Sequence, residues 1–268
     1  MSVWAAGTDS EIRNLGLFDG NCHLGASDLS VSGAPISVTE LTGEMNDRGI
    51  AESLVYHALA SSYSPGFGNS LLLDEISADP RLHGCWVVFP HHTAELQPAK
   101  LLVAAALKAG IRAVRMFPLR HRFSMSDWST RELLEKLDEH RIPLFLDYER
   151  THWVQKVVDY DSVFRICRDF PGIPLVLVRE GIGSARYLYP LLEKFDNLHL
   201  EISYYQSACG LEDISRSFGA RHLLFGSGLP IYEAGAVIAM LLCSEISSGE
   251  KQMIGGDNLR SLLKAVQV

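Results

Sequence analysis

"PAKLLVAAALKAGIRAVRMFP", residues 98–118, sets the reading of the whole chain. In its first half the apolar residues recur three and four positions apart, the spacing of one helix face, and Gly110 marks the stop. The second half, "IRAVRMFP", is a short β-rich run that ends at Pro118. A helix that stops at a glycine and feeds a strand is one unit of an α/β fold.

The unit repeats from end to end. Strands are expected at "NLGLFDGN" (14–21), "AESLVYH" (51–57), "LHGCWVVFP" (82–90), "IRAVRMFP" (111–118), "IPLFLDYE" (142–149), "IPLVLVRE" (173–180), "LHLEIS" (198–203) and "HLLFGSG" (222–228). Amphipathic helices such as "SVTELTGEMNDRG" (37–49) and "TRELLEKLDEHR" (130–141) lie between them. Eight strands alternating with helices in 268 residues predict a (β/α)8 TIM barrel of the α/β class, a single domain over residues 1–268. No Gly-x-Gly-x-x-Gly follows the first strand, which disfavours an open dinucleotide-binding sheet. The segment "GEKQMIGGDNLRSLL" (249–263) reads as a terminal helix pair closing the barrel.

A hydrophobic content of 47% supplies a sizeable core. The formal charge of −8 gives no global attraction to nucleic acid or to an anionic membrane, so the expected partners are a small anionic molecule and other subunits, including a homodimer. The N-terminal stretch lacks a basic region followed by a sustained apolar one, and the longest apolar run, "AGAVIAMLLC", is too short to span a bilayer. A cytoplasmic location is expected. Five cysteines form no Cys-x-x-Cys pair, which speaks against a disulfide framework or a cysteine-rich zinc site. Cys209, in a loop, is a candidate nucleophile with no assigned base.

In such a barrel the chemistry sits at the C-terminal strand ends. Strand one delivers Asn21 and His23, two apart and so on one inward face, with Cys22 turned out. Strand two ends in His57, strand three in His91 and His92, strand four in Arg115 with the basic "LRHRF" following, and strand five in Asp147 and Glu149. Strand six ends in Arg179 and Glu180, strand seven offers Glu201 and Ser203, and strand eight ends in "GSGLP". Each is commonly a satisfied structural group when met alone; their joint placement points to a site.

Several of these segments resemble those of the amidohydrolase superfamily, in its amidohydrolase-related (amidohydrolase 2) branch. "FDGNCHLG" is similar to the first-strand His-x-His segment, "IPLFLDYE" to the fifth-strand segment ending in a ligand His, and "LVLVREG" to the sixth-strand His-x-Gly. "LLFGSGLP" resembles Phe-Gly-Ser-Asp-x-Pro on strand eight, and "GGDNLRSLL" resembles the closing Asn-x-x-x-Leu-Leu helix. The resemblance implies a (β/α)8 barrel whose relatives are metal-dependent hydrolases and decarboxylases. It also implies that Asn21, Asp147, Arg179 and Gly228 replace four ligand positions, leaving His23 as the retained ligand.

A guanidinium about 4 Å from a divalent ion costs roughly 8 kcal/mol at an effective dielectric near 20. No metal and no cofactor are therefore expected. An Asp147–Arg179 ion pair would be the structural use of these residues. The functional use assigns Asp147, His57 and His91 to catalysis, as base and proton shuttles, and Asn21, His23, His92, Arg115, Glu149 and Arg179 to substrate binding, the arginines matching carboxylate geometry. Lysine is absent from every expected strand end, which disfavours Schiff-base chemistry. The function expected is hydrolysis of an ester, lactone or amide of a small anionic compound. The alternatives are a decarboxylase of a carboxylated small molecule and a non-catalytic metabolite-binding barrel.

Overall fold

The structure is a computed structural model that describes residues 6–27, 37–148, 158–181 and 183–268. Eight strands, β1 (Leu17–Leu24), β2 (Ile50–His57), β3 (Leu82–Val87), β4 (Ala113–Met116), β5 (Leu144–Asp147), β6 (Leu175–Val178), β7 (Leu198–Glu201) and β8 (Leu223–Leu224), pair in parallel and in sequence order. The ring is closed by backbone bonds between β1 and the segment that follows β8: Gly20 N–H to Phe225 O at 2.9 Å, Gly228 N–H to Asn21 O at 2.9 Å, and His23 N–H to Leu229 O at 3.1 Å. This is the expected (β/α)8 barrel.

Side-chain alternation along each strand divides the core into two layers. Leu54 and Tyr56, Cys85 and Val87, Ala113 and Phe117, and Val176 and Val178 pack with Phe18 and Phe145 inside the barrel. Their strand neighbours, among them Leu24, Val55, Val114, Leu146 and Leu177, pack outward against the helices. Helix ends follow local chemistry. In α1 (Ala6–Asn14) Arg13 pairs with Asp9, and α2 (Val38–Arg48) starts with a Ser37–Glu40 capping box and stops at Gly49 in the left-handed region.

The β2–β3 connection holds α3 (Ala58–Ser62) and α4 (Pro65–Ile76), which approach so closely that a Cβ at Gly68 would stand 2.2 Å from Ala60 N. The tail forms one turn of π-helix between two short α-helices, Ser248–Gln252 and Asn258–Lys264. Leu259 enters the inner core there, with Leu262 and Leu263 packed against it, and stoppers the barrel at the N-terminal ends of the strands. Among the described residues no helix is long and apolar enough to cross a membrane.

Two breaks in alternation shape the C-terminal end. Phe18 and Asn21 both face the interior although three positions apart, and a register shift between Asp19 and Cys22 absorbs the additional residue as a bulge. After inward Val178, regular geometry would send Arg179 outward. Arg179 instead has φ 59°, a left-handed backbone that is uncommon for a residue with a side chain, and its guanidinium meets Asp147. Such a conformation costs about 1–3 kcal/mol and persists only where its surroundings hold it.

Candidate active site

Five of the residues expected from sequence converge at the strands' C-terminal ends. Arg179 Nη2 donates to Asp147 Oδ2 at 2.6 Å, and Arg115 Nη1 stands 3.7 Å from the same oxygen. Arg115 Nη1 also donates to Asn21 Oδ1 at 3.0 Å, while its guanidinium carbon lies 4.6 Å from the centre of the Tyr56 ring. His23 packs against the same Tyr56 ring, the two ring centres 5.2 Å apart. All five are buried, Asp147 completely. His23 Nε2, Arg115 Nε and Arg179 Nε are buried and have no hydrogen-bond partner. Buried polar atoms are ordinarily satisfied, so these three nitrogens are available to a ligand or to water.

The electrostatics follow from burial and the two guanidinium groups. Burial, then Arg179 and Arg115, push the His23 imidazole down to about 3, so it is neutral at physiological pH. Burial pushes the Glu201 carboxyl up to about 7 against the hydrogen bonds donated by Ser203, with Asp19 adding to the rise. Asp19 is itself raised by burial; its carboxyl accepts from the Ser227 hydroxyl, from Ser227 N–H at 2.8 Å and from Asn21 N–H at 2.9 Å.

Other expected residues stand apart. His57 lies at the same end of the barrel but next to inward Tyr56 and so turned toward the helices. Its Nδ1 caps α3 by accepting Leu59 N–H at 3.1 Å, and its Nε2 faces Glu75 at 3.6 Å. His91 and His92 form a short 3-10 turn on the rim, stacked at 4.8 Å, with His91 3.9 Å from Glu132 and His92 exposed. Glu149 lies outside the described residues. Cys209 is exposed at the start of the helix Gly210–Ser217.

Glu201 and Ser203, noted at the end of strand seven but given no role from sequence, belong to the cluster: Asn21 Nδ2 donates to Glu201 Oε2 at 3.0 Å and reaches Ser203 Oγ at 3.2 Å. The available signal was their spacing of two at a strand end. Tyr56, the next-to-last residue of β2, carried no such signal.

The donor set fits a divalent cation poorly. The Asn21 oxygen accepts from Arg115, Asp147 is ion-paired, and Gly228 offers no side chain. An Asp at 228 would meet a φ of 75° and, at its Cβ, the Tyr232 ring 2.5 Å away. Among the described residues no three His, Cys, Asp or Glu side chains group as metal ligands.

No protein-family model and no curated protein match the sequence. Solved structures do. An uncharacterized TIM-barrel protein from Bordetella bronchiseptica is 17% identical, with 93% of this chain and 98% of that one covered at a TM-score of 0.73. A 2,6-dihydroxybenzoate decarboxylase from Rhizobium is 14% identical over 93% and 98% of the two chains, at a TM-score of 0.72. A probable 2-pyrone-4,6-dicarboxylic acid hydrolase from Acinetobacter baumannii, with citric acid bound, is 15% identical over 93% and 99%, at a TM-score of 0.64. The chain therefore shares the (β/α)8 barrel fold of these three proteins over almost its whole length.

Proposed function

We propose that the protein is an amidohydrolase-like hydrolase that works without a metal at the resemblance's ligand positions, on an ester, lactone or amide of a small carboxylate. The observation that carries the reading is the pair of buried guanidinium groups on either side of Asp147, each with an unpartnered Nε–H. Arg115 and Arg179 bind the substrate carboxylate and stabilise the oxyanion that forms when water adds to the carbonyl carbon. Asp147 takes the proton of that water and returns it to the leaving oxygen or nitrogen as the acyl C–O or C–N bond breaks and the oxyanion collapses to the carboxylic acid; neutral His23 offers Nε2 as a further hydrogen-bonding group. His57 and His91 remain outside this scheme because their rings stand apart from the cluster.

Decarboxylation is the second reading. It is supported by the shared fold of the dihydroxybenzoate decarboxylase and by the same cationic pair, which would hold the carboxylate that leaves. The test is a panel of 2-pyrone-4,6-dicarboxylate, 2,6-dihydroxybenzoate and simple esters of dicarboxylic acids, followed for hydrolysis and for carbon dioxide release, with and without chelator. Hydrolysis that survives chelation is the expected result. Turnover that requires added zinc or manganese overturns the metal-free reading, carbon dioxide release selects the second, and carboxylate binding without turnover leaves a binding barrel.

A further inference from the structure

We infer that Glu201 is the positioning residue that sets the direction of both guanidinium groups. Its carboxyl is fully buried at the end of β7 and receives four donors. Oε1 accepts from Ser203 N–H at 2.5 Å, and Oε2 accepts from Ser203 Oγ at 2.9 Å, Asn21 Nδ2 at 3.0 Å and Arg179 N–H at 3.3 Å. Two of these contacts lead to the arginines by different routes.

The first runs through Asn21. An amide whose Nδ2 is held by a carboxylate must turn Oδ1 the other way, and Oδ1 accepts from Arg115 Nη1 at 3.0 Å. The second runs through the backbone: Arg179 N–H donates to Glu201 while Arg179 holds its left-handed φ, the conformation that brings its side chain to Asp147 rather than outward. A contact from a neighbouring strand thus helps hold a backbone conformation that sequence-local preferences oppose.

Gly226 makes room for this hub, because a Cβ there would stand 2.1 Å from Glu201 Oε1. Burial raises the proton affinity of the carboxyl and the Ser203 donors oppose that rise, so the ionised, orienting form is the one present above about pH 7. With every contact to it a donor, Glu201 has the hydrogen-bonding pattern of an orienting acceptor.

The inference rests on the anion-binding reading, and the test separates the two. Citrate binding is measured by calorimetry above pH 7, where the Glu201 carboxyl is ionised, for wild type, Glu201→Gln, Arg115→Met/Arg179→Met and the triple variant, with thermal melts to verify folding. In Glu201→Gln the Nε2 donor must confront one of the donors just named, whichever way the amide turns. Citrate affinity should fall roughly tenfold, the scale of one lost charge-assisted bond. In the arginine-free background the same substitution should change the residual affinity by less than about twofold, since the effect passes through the arginines.

Wild-type binding with Glu201→Gln unchanged overturns the inference alone, as does an equal loss in both backgrounds. A wild type that binds no citrate overturns the anion reading, and the inference with it. Should Glu201→Gln fail to fold, Ser203→Ala removes one orienting donor and leaves the carboxyl. It is expected to weaken citrate by about threefold, and unaltered affinity there overturns the inference.

Discussion

The two ends of the barrel use the same chemistry differently. At the N-terminal end Arg260 is half-buried and each of its three nitrogens bonds to the protein: Nε donates to Glu52 at 2.7 Å, Nη2 to Gly16 O at 2.7 Å and Nη1 to Asp257 at 3.4 Å, with the guanidinium over the Phe18 ring. At the C-terminal end Arg115 and Arg179 are buried, yet each keeps an unpartnered Nε, and they share Asp147. A guanidinium whose three nitrogens all bond to the protein fastens the fold. One that is buried with an unpartnered Nε keeps a donor available to a ligand.

Breaking the C-terminal cluster should give the largest effect. Asp147→Asn leaves two buried guanidinium groups without their shared counter-charge and is expected to cost about 3–5 kcal/mol in urea unfolding. A loss under about 1 kcal/mol would put both ends of the barrel on the same footing. Arg179→Met comes next, and it sharpens the comparison, because Arg115 remains 3.7 Å from Asp147. Carboxylate binding should weaken by about 1.5–3 kcal/mol in calorimetry, and equal binding by wild type and mutant removes Arg179 from the site.

Proton linkage gives a third test. Glu201 holds a proton in the folded state up to about pH 7, against an ordinary value of 4.5. Its contribution to stability is therefore complete below about 4.5 and is lost as pH rises through 7. His23, lowered from 6.5 to about 3, acts oppositely: its contribution is present above 6.5 and is lost as pH falls through 3. Between pH 4.5 and 6.5 the two slopes oppose. Glu201→Gln removes one of them, so the variant's stability should rise more steeply with pH, by up to about 1.4 kcal/mol per unit. Parallel pH profiles for the two proteins would show that the carboxyl does not titrate in this range.

The smallest effect belongs to the other end. Arg260→Met should cost below about 1 kcal/mol, as part-exposed ion pairs do, and leave citrate binding unaltered in the same calorimetry. A change in citrate affinity there would couple the two ends of the barrel.

Much of the site is legible in the sequence for one reason. Asn21, His23, Arg115 and Asp147 sit at the ends of apolar runs, and a strand's end locates its residue to within a step. The helical roles of flanking residues are less legible. His57 ends a strand just as Asp147 does, but one step out of phase with Tyr56, and the backbone N–H of Leu59 claims its ring. Nothing in "AESLVYH" separates a lumen-facing histidine from a capping one.

By itself the sequence determined the barrel, because alternating β-rich and helical periods of hydrophobicity are local quantities, and eight such units leave few ways to bury both layers. It also determined that a cation and a carboxylate end adjacent strands where the resemblance expects ligands. Tertiary structure alone decided which side chains face one another. The bulge between Asp19 and Cys22 re-aims Asn21, and the left-handed backbone at Arg179 turns a side chain that alternation would send outward. Each is held by bonds from distant segments, Phe225 to Gly20 and Glu201 to Arg179, whose positions become fixed only when the ring closes.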